Sequence, residues 1–168
     1  MVGRYGRGVL GSADEREGAV PSMGELGLNH FAPYLLNRIA ARWNADLSEE
    51  LKAFDMTTAK MRVLAILSVS NGLAINELSV YAVTEQSTMS RTLDAMEEQG
   101  LVRRSPRAED ARVRETHITE KGAAAFAAIW PMMVGRFRHM FEGVSETEYQ
   151  AFVATLHRIL ANIRRNDI

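Results

Sequence analysis

The chain has 168 residues, 46% of them hydrophobic and 24% charged, with a formal net charge of -1 and a pI near 6.4. These values suit one domain with a sizeable core, or a small module with an oligomerisation arm; they argue against a surface that is basic throughout, so any polyanion site must be local. There is no cysteine, which excludes disulfides, cysteine-ligated zinc and thiol chemistry, and no window approaches the roughly 18 consecutive apolar residues of a membrane span.

Residues 1–27 mix Gly with charges of both signs and lack a signal-peptide apolar region, so a mobile tail on a cytoplasmic protein is expected. From Leu28 the pattern changes. Phe31, Leu35, Ile39, Trp43, Leu47, Leu51 and Phe54 recur at helical spacing, predicting one long amphipathic helix. The pair Thr57 and Thr58 can cap a second helix carrying Met61, Leu64, Ile66 and Leu67 as far as about Ser70, ended by Asn71 and Gly72. Two short helical patterns follow, INELSVYA and EQSTMSRTLDAMEEQG, the second capped by Thr84 or its neighbour and stopped by Gly100.

After Gly100 the period shortens. LVRRS and RVRETHI, separated by a polar loop containing Pro106, read as a β-hairpin. Two helices joined by a tight turn and followed by a hairpin make a winged helix-turn-helix. The last third returns to helix: Thr119 caps a segment bearing Phe126, Trp130, Met133, Phe137 and Phe141, which Pro131 should bend or divide, and Ser145 with Glu148 forms a capping box for another. The expected fold is mainly α with a small β-hairpin wing, organised as a tail (1–27), an N-terminal dimerisation helix (28–56), a winged helix-turn-helix (57–118) and C-terminal dimerisation helices (119–168). The terminal helices carry more apolar surface than a small module covers, which suggests packing across a two-fold axis; an ordinary intramolecular bundle is the alternative.

Within the fourth helix, Met89, Leu93 and Met96 share one face, while Ser87, Ser90, Arg91 and Asp94 share another, flanked by Gln86 and Thr88. Small hydroxyl residues at a helix start let the backbone approach phosphates, and Gln and Arg can donate to base edges. Polar residues on an exposed face are also commonplace, and Glu97 and Glu98 would repel DNA if they faced it. The hairpin adds weight: Arg103, Arg104, Arg107, Arg112 and Arg114 face only Glu109 and Asp110 between Leu101 and Arg114. A solvated loop tolerates such charge, but a basic wing beside a recognition helix has a use, at phosphates and in a narrow minor groove.

STMSRTLDAMEEQGLVRR and EDARVRETHITEKG resemble the MarR family of bacterial transcriptional regulators, over about Phe31 to Ile163, with the family's Asp-x-Arg and Thr-x-x-Gly pattern at Asp110, Arg112, Thr119 and Gly122. The resemblance implies a two-fold dimer with interlocked terminal helices and one winged helix-turn-helix per subunit in successive major grooves of a near-palindromic operator. It implies Arg112 as the wing-tip minor-groove residue with Asp110 orienting its guanidinium, Ser87, Thr88, Ser90 and Arg91 on the recognition helix, and structural roles for Thr119 and Gly122. His117 receives no role. It also implies a repressor relieved by a small, often aromatic effector, for which Phe31, Tyr34, Leu35, Trp43 and Phe126 are candidate pocket residues, though aromatics there also serve as core.

His30, His117, His139 and His157 are scattered, and no Gly-rich phosphate loop, nucleophile elbow or HExxH occurs. No metal, cofactor, membrane association or enzymatic activity is expected. The competing reading is a winged-helix protein-interaction module that does not read DNA.

Overall fold

The computed structural model describes residue 24 and residues 27–164. The tail expected over residues 1–27 lies, apart from residues 24 and 27, outside the described residues. Two compact units divide between Glu50 and Leu51.

In the first unit a 3₁₀ turn, Leu28–His30, precedes helix α1, Ala32–Leu51. Its polar side is held by an Arg42–Asp46 pair at 3.0 Å, one helical turn apart, and by the Arg38 guanidinium over the Tyr34 ring at 5.7 Å. The expected single helix through Phe54 is shorter at its end. Winding tightens to a 3₁₀ turn at Lys52–Phe54 and stops where Asp55 enters the left-handed region at φ 49°, a conformation a short polar side chain tolerates.

The second unit, which begins at Leu51 and includes that turn, continues into α2, Thr58–Val69, whose first turn is capped by the Thr57 hydroxyl accepting the Lys60 N–H at 3.3 Å; such a cap contributes about 1 kcal/mol. Gly72, at φ 81°, turns the chain into a two-residue strand β1, Leu73–Ala74, and then α3, Ile75–Tyr81. Helix α4, Gln86–Glu98, follows, with Glu85 as N-cap residue. The Thr84 hydroxyl donates instead to the Ala82 carbonyl at 3.1 Å. Met89, Leu93 and Met96 of α4 are each no more than 1% exposed. At about 2 kcal/mol per buried side chain, this stripe fixes the rotation of the helix and thereby which residues face solvent.

Strands β2, Val102–Pro106, and β3, Arg114–Ile118, form the expected hairpin in antiparallel register, with Val102 opposite Ile118 and Arg104 opposite Thr116. Strand β1, which the sequence did not reveal, pairs with the other side of β3, giving the order β1-β3-β2. The core joins Met61, Leu64 and Leu67 of α2, Leu78 of α3, the α4 stripe and Val102.

Helix α5, Glu120–Met140, starts at Thr119, whose Oγ1 accepts the Gly122 N–H at 3.0 Å. It packs against α2 and buries Ile129. Of the two outcomes expected at Pro131, a bend or a division, division does not occur, and α5 runs unbroken through it: proline removes a single backbone donor, and the rest of the ladder persists on either side. Helix α6, Glu146–Ile163, begins with the expected capping box, Ser145 N–H to Glu148 Oε2 at 2.9 Å and Glu148 N–H to Ser145 Oγ at 3.4 Å. Tyr149 meets Phe137 and Phe141 edge-on, with centroids at 5.6 and 4.9 Å, which ties α6 to the end of α5. None of the residues of α6 is buried, and Phe152, Ile159, Leu160 and Ile163 remain exposed.

Candidate nucleic-acid interface

The turn between α3 and α4 determines how α4 is presented, and it does so by way of Val83, a β-branched residue at φ 51°. That conformation costs on the order of 1–2 kcal/mol in a non-glycine residue. The turn is closed by Thr84 N–H to the Ser79 carbonyl at 3.0 Å and Val83 N–H to the Val80 carbonyl at 3.1 Å. Beyond it, α4 begins with no side-chain cap, so its first N–H groups, at the positive end of the helix dipole, are open to an external acceptor.

With the apolar stripe turned inward, Gln86, Ser87, Thr88 and Arg91 are exposed and Ser90 is half-buried. Arg91 Nε donates to the Ser87 carbonyl at 3.3 Å, which lays its side chain back along the helix toward the N-terminus. The predicted face of α4 is therefore a contiguous polar surface.

The five wing arginines separate into two groups. Arg103, Arg112 and Arg114 are exposed, and no carboxylate pairs with them among the described residues. Arg104 and Arg107 are half-buried and engaged. Arg104 binds Glu97 Oε2 through Nε at 2.8 Å and Nη2 at 2.5 Å, and Asp94 Oδ1 through Nη2 at 2.7 Å. Arg107 binds Glu115 Oε1 at 2.6 Å and Glu77 Oε2 at 3.4 Å. The hydrogen bonds from Arg104 hold the Glu97 carboxyl below its ordinary range, and those to Glu97 and Asp94 push the Arg104 guanidinium further up. Period-two alternation from buried Val102 puts Arg104 on the helix-facing side of β2 and Arg103 on the outer side, a signal present in the sequence that separates the two.

At the tip, Asp110 meets Arg112 through the backbone: Asp110 Oδ1 accepts the Arg112 N–H at 3.0 Å. Asp110 thus shapes the loop that carries Arg112, where the resemblance implied contact with the guanidinium. His117 lies beside Glu115, with Nε2 to Oε2 at 3.6 Å. Between the wing and the two helices is a cleft of about 390 Å³, with Ala74, Ile75 and Leu93 on its apolar side and Arg104, Arg112 and Arg114 on its basic side.

Thr119 and Gly122 join the wing to α5. The Thr119 hydroxyl hydrogen-bonds the Gly100 carbonyl at 2.7 Å, and a Cβ at Gly122 would lie 2.1 Å from the Leu101 carbonyl oxygen. Of the candidate pocket residues in the first unit, Phe31, just before α1, and Tyr34 and Trp43 on it are half-buried, and Leu35 of α1 is exposed; half-buried Phe126, in the second, packs on Trp130 with centroids 5.7 Å apart. Among the described residues, no cluster of three or more His, Asp or Glu is placed to hold a metal ion, and no helix is long and apolar enough to cross a membrane.

Helix, tight turn, second helix with an exposed polar face and a basic hairpin define a winged helix-turn-helix. Comparison with known proteins narrows the class. The MarR family model matches residues 56–113. A MarR-family transcriptional regulator from Silicibacter pomeroyi is 46% identical, covering 88% of this chain and 100% of its own, with a TM-score of 0.83. A second such regulator, from Silicibacter pomeroyi DSS, is 34% identical over 86% of this chain and 96% of its own, at a TM-score of 0.79. The HTH-type transcriptional repressor IacR of Pseudomonas putida is 29% identical over 143 residues, 85% of this chain and 86% of that protein. The chain belongs to the MarR family of DNA-binding transcriptional regulators.

Proposed function

We propose that the protein is a homodimeric, sequence-specific repressor. Gln86, Ser87, Thr88, Ser90 and Arg91 read base edges and phosphates in the major groove, and Arg112 enters the adjacent minor groove. Arg103 and Arg114 contact phosphates; Arg104, Arg107 and Asp110 shape the wing that carries them. The observation that carries this reading is the side-by-side exposure of the polar α4 face and three wing arginines that, among the described residues, pair with no carboxylate, on a chain whose net charge is only -1. Small hydroxyl side chains at an uncapped helix start suit close approach to phosphate, and arginine suits a narrow minor groove. Repression follows the sign borne by the IacR relative.

The dimer is built by the terminal helices. Leu35, Leu36 and Ile39 on α1, and Phe152, Ile159, Leu160 and Ile163 on α6, are large apolar side chains left exposed in the single chain, and a second copy covers them in this reading. Truncation before Glu146 is expected to yield monomers in light scattering; a dimer of unchanged stability refutes the α6 assignment. A small aromatic effector is taken up by half-buried aromatic side chains, Phe31 just before α1 and Tyr34 and Trp43 on it, shifting the dimer toward a geometry that no longer spans both half-sites.

The test is selection of bound sequences from random duplex DNA at two salt concentrations. A near-palindrome with half-sites about one helical turn apart, bound more weakly at higher salt, is expected. Absence of any enriched sequence would overturn the reading in favour of a protein-interaction module.

A further inference from the structure

By charge alone, Glu97 opposes DNA binding, because a carboxylate on the recognition helix repels phosphates. Its geometry gives it another task. Glu97 Oε1 accepts the Arg104 backbone N–H at 2.9 Å while Oε2 accepts the Arg104 guanidinium, and Asp94, one turn earlier on α4, takes the same guanidinium at 2.7 Å. Arg104 lies in β2, the edge strand of the sheet, so this carboxylate takes up a backbone donor that β3 does not use. Main chain and side chain of the wing strand are thus both attached to the recognition helix.

A second attachment lies further along the hairpin. Arg107, just after β2, bridges Glu115 of β3 to Glu77 in the first turn of α3, and Glu77 Oε2 also accepts the Ala74 N–H at 2.6 Å. The wing is therefore braced to both helices of the helix-turn-helix. Beyond the braces, between Arg107 and Arg114, lies the loop that carries Arg112.

We propose that Glu97 is a positioning residue for DNA binding: through Arg104 it fixes β2 to the recognition helix and so sets the spacing at which the α4 face and the wing arginines meet neighbouring grooves of one duplex. This rests on the DNA-binding reading above. Positioning and plain electrostatics make opposite predictions for Glu97→Gln. Removing a negative charge near a polyanion tightens binding if charge alone matters. Releasing the wing weakens it, because the wing and helix contacts no longer come pre-organised and the ordering cost is borne on binding.

The experiment uses the full-length chain with Glu97→Gln and Arg104→Lys, the second keeping the charge while losing the planar fork that spans two carboxylates. Operator affinity is measured by fluorescence anisotropy at fixed salt, with hydrogen exchange of the β2 and β3 amides in the free protein and circular dichroism to verify folding. Both variants are expected to bind about threefold to tenfold more weakly, with faster exchange in the wing. Equal or tighter binding by folded Glu97→Gln, or unchanged wing exchange, overturns the proposal. If the wild-type chain selects no DNA sequence, the DNA-binding reading fails, and wing exchange alone still decides whether Glu97 is the brace.

Discussion

Replacing Gly122 by Ala tests the joint between the wing and α5. A Cβ there would lie 2.1 Å from the Leu101 carbonyl oxygen and 3.0 Å from Ile118 Cγ1. The first contact is with backbone, which cannot rotate aside, so α5 and the strand entry must separate; overpacking of this kind costs about 1–3 kcal/mol. The shift also disturbs the Thr119 cap, which donates its own hydroxyl to the Gly100 carbonyl and accepts the Gly122 N–H, for about 1 kcal/mol more. Alanine's better helix propensity returns up to about 1 kcal/mol. The net loss is about 1–3 kcal/mol, a fall in Tm of roughly 3–10 °C for a chain of this size. Thermal unfolding followed by circular dichroism at one fixed protein concentration measures it. A Tm equal to or above that of the wild type would refute the close-approach argument.

Arg112→Ala is expected to weaken operator binding by about fivefold to tenfold while leaving folding and dimerisation intact; unchanged affinity in fluorescence anisotropy removes Arg112 from the interface. Val83→Asn places a residue that tolerates the left-handed region where a β-branched one now sits, and should raise stability by about 0.5–1 kcal/mol in denaturant titration; a loss would mean that the valine side chain is needed by the fold. The Glu97 carboxyl is held below its ordinary pKa in the folded chain, so its contribution is fully present above the unfolded value of about 4.3 and is lost as pH falls through the lower folded value. The stability difference between wild type and Glu97→Gln should accordingly be constant near neutrality and shrink only below about pH 4. A difference that varies between pH 6 and 8 would point to a different titrating group.

The features legible in the sequence are those set by local periodicity and local caps. The Met89, Leu93 and Met96 spacing identified the buried side of α4, and with it the exposed polar face. Thr57, Thr119 and Ser145 were recognisable as caps because each hydroxyl acts three residues downstream. The features that escaped depend on distant partners. Leu73 and Ala74 become a strand only because Thr116 and Glu115, some forty residues later, supply the pairing; two residues show no alternation to read. Pro131 marked a bend or a division, and the helix is not divided there. The division of the wing arginines was visible in the alternation from Val102, but their carboxylate partners lie on helices whose approach no local pattern specifies.

A projecting strand with an open edge is a standing invitation for another chain to extend the sheet. In this wing the invitation is largely withdrawn. On the exposed side of β2, the Arg104 N–H is already given to Glu97, and the strand ends at Pro106, which has no N–H to give; at the opposite edge, β1 is only two residues long. The arrangement that steadies the wing also protects it from self-association, so a hairpin rich in backbone donors can stand out from the body of the protein without becoming a seed for aggregation.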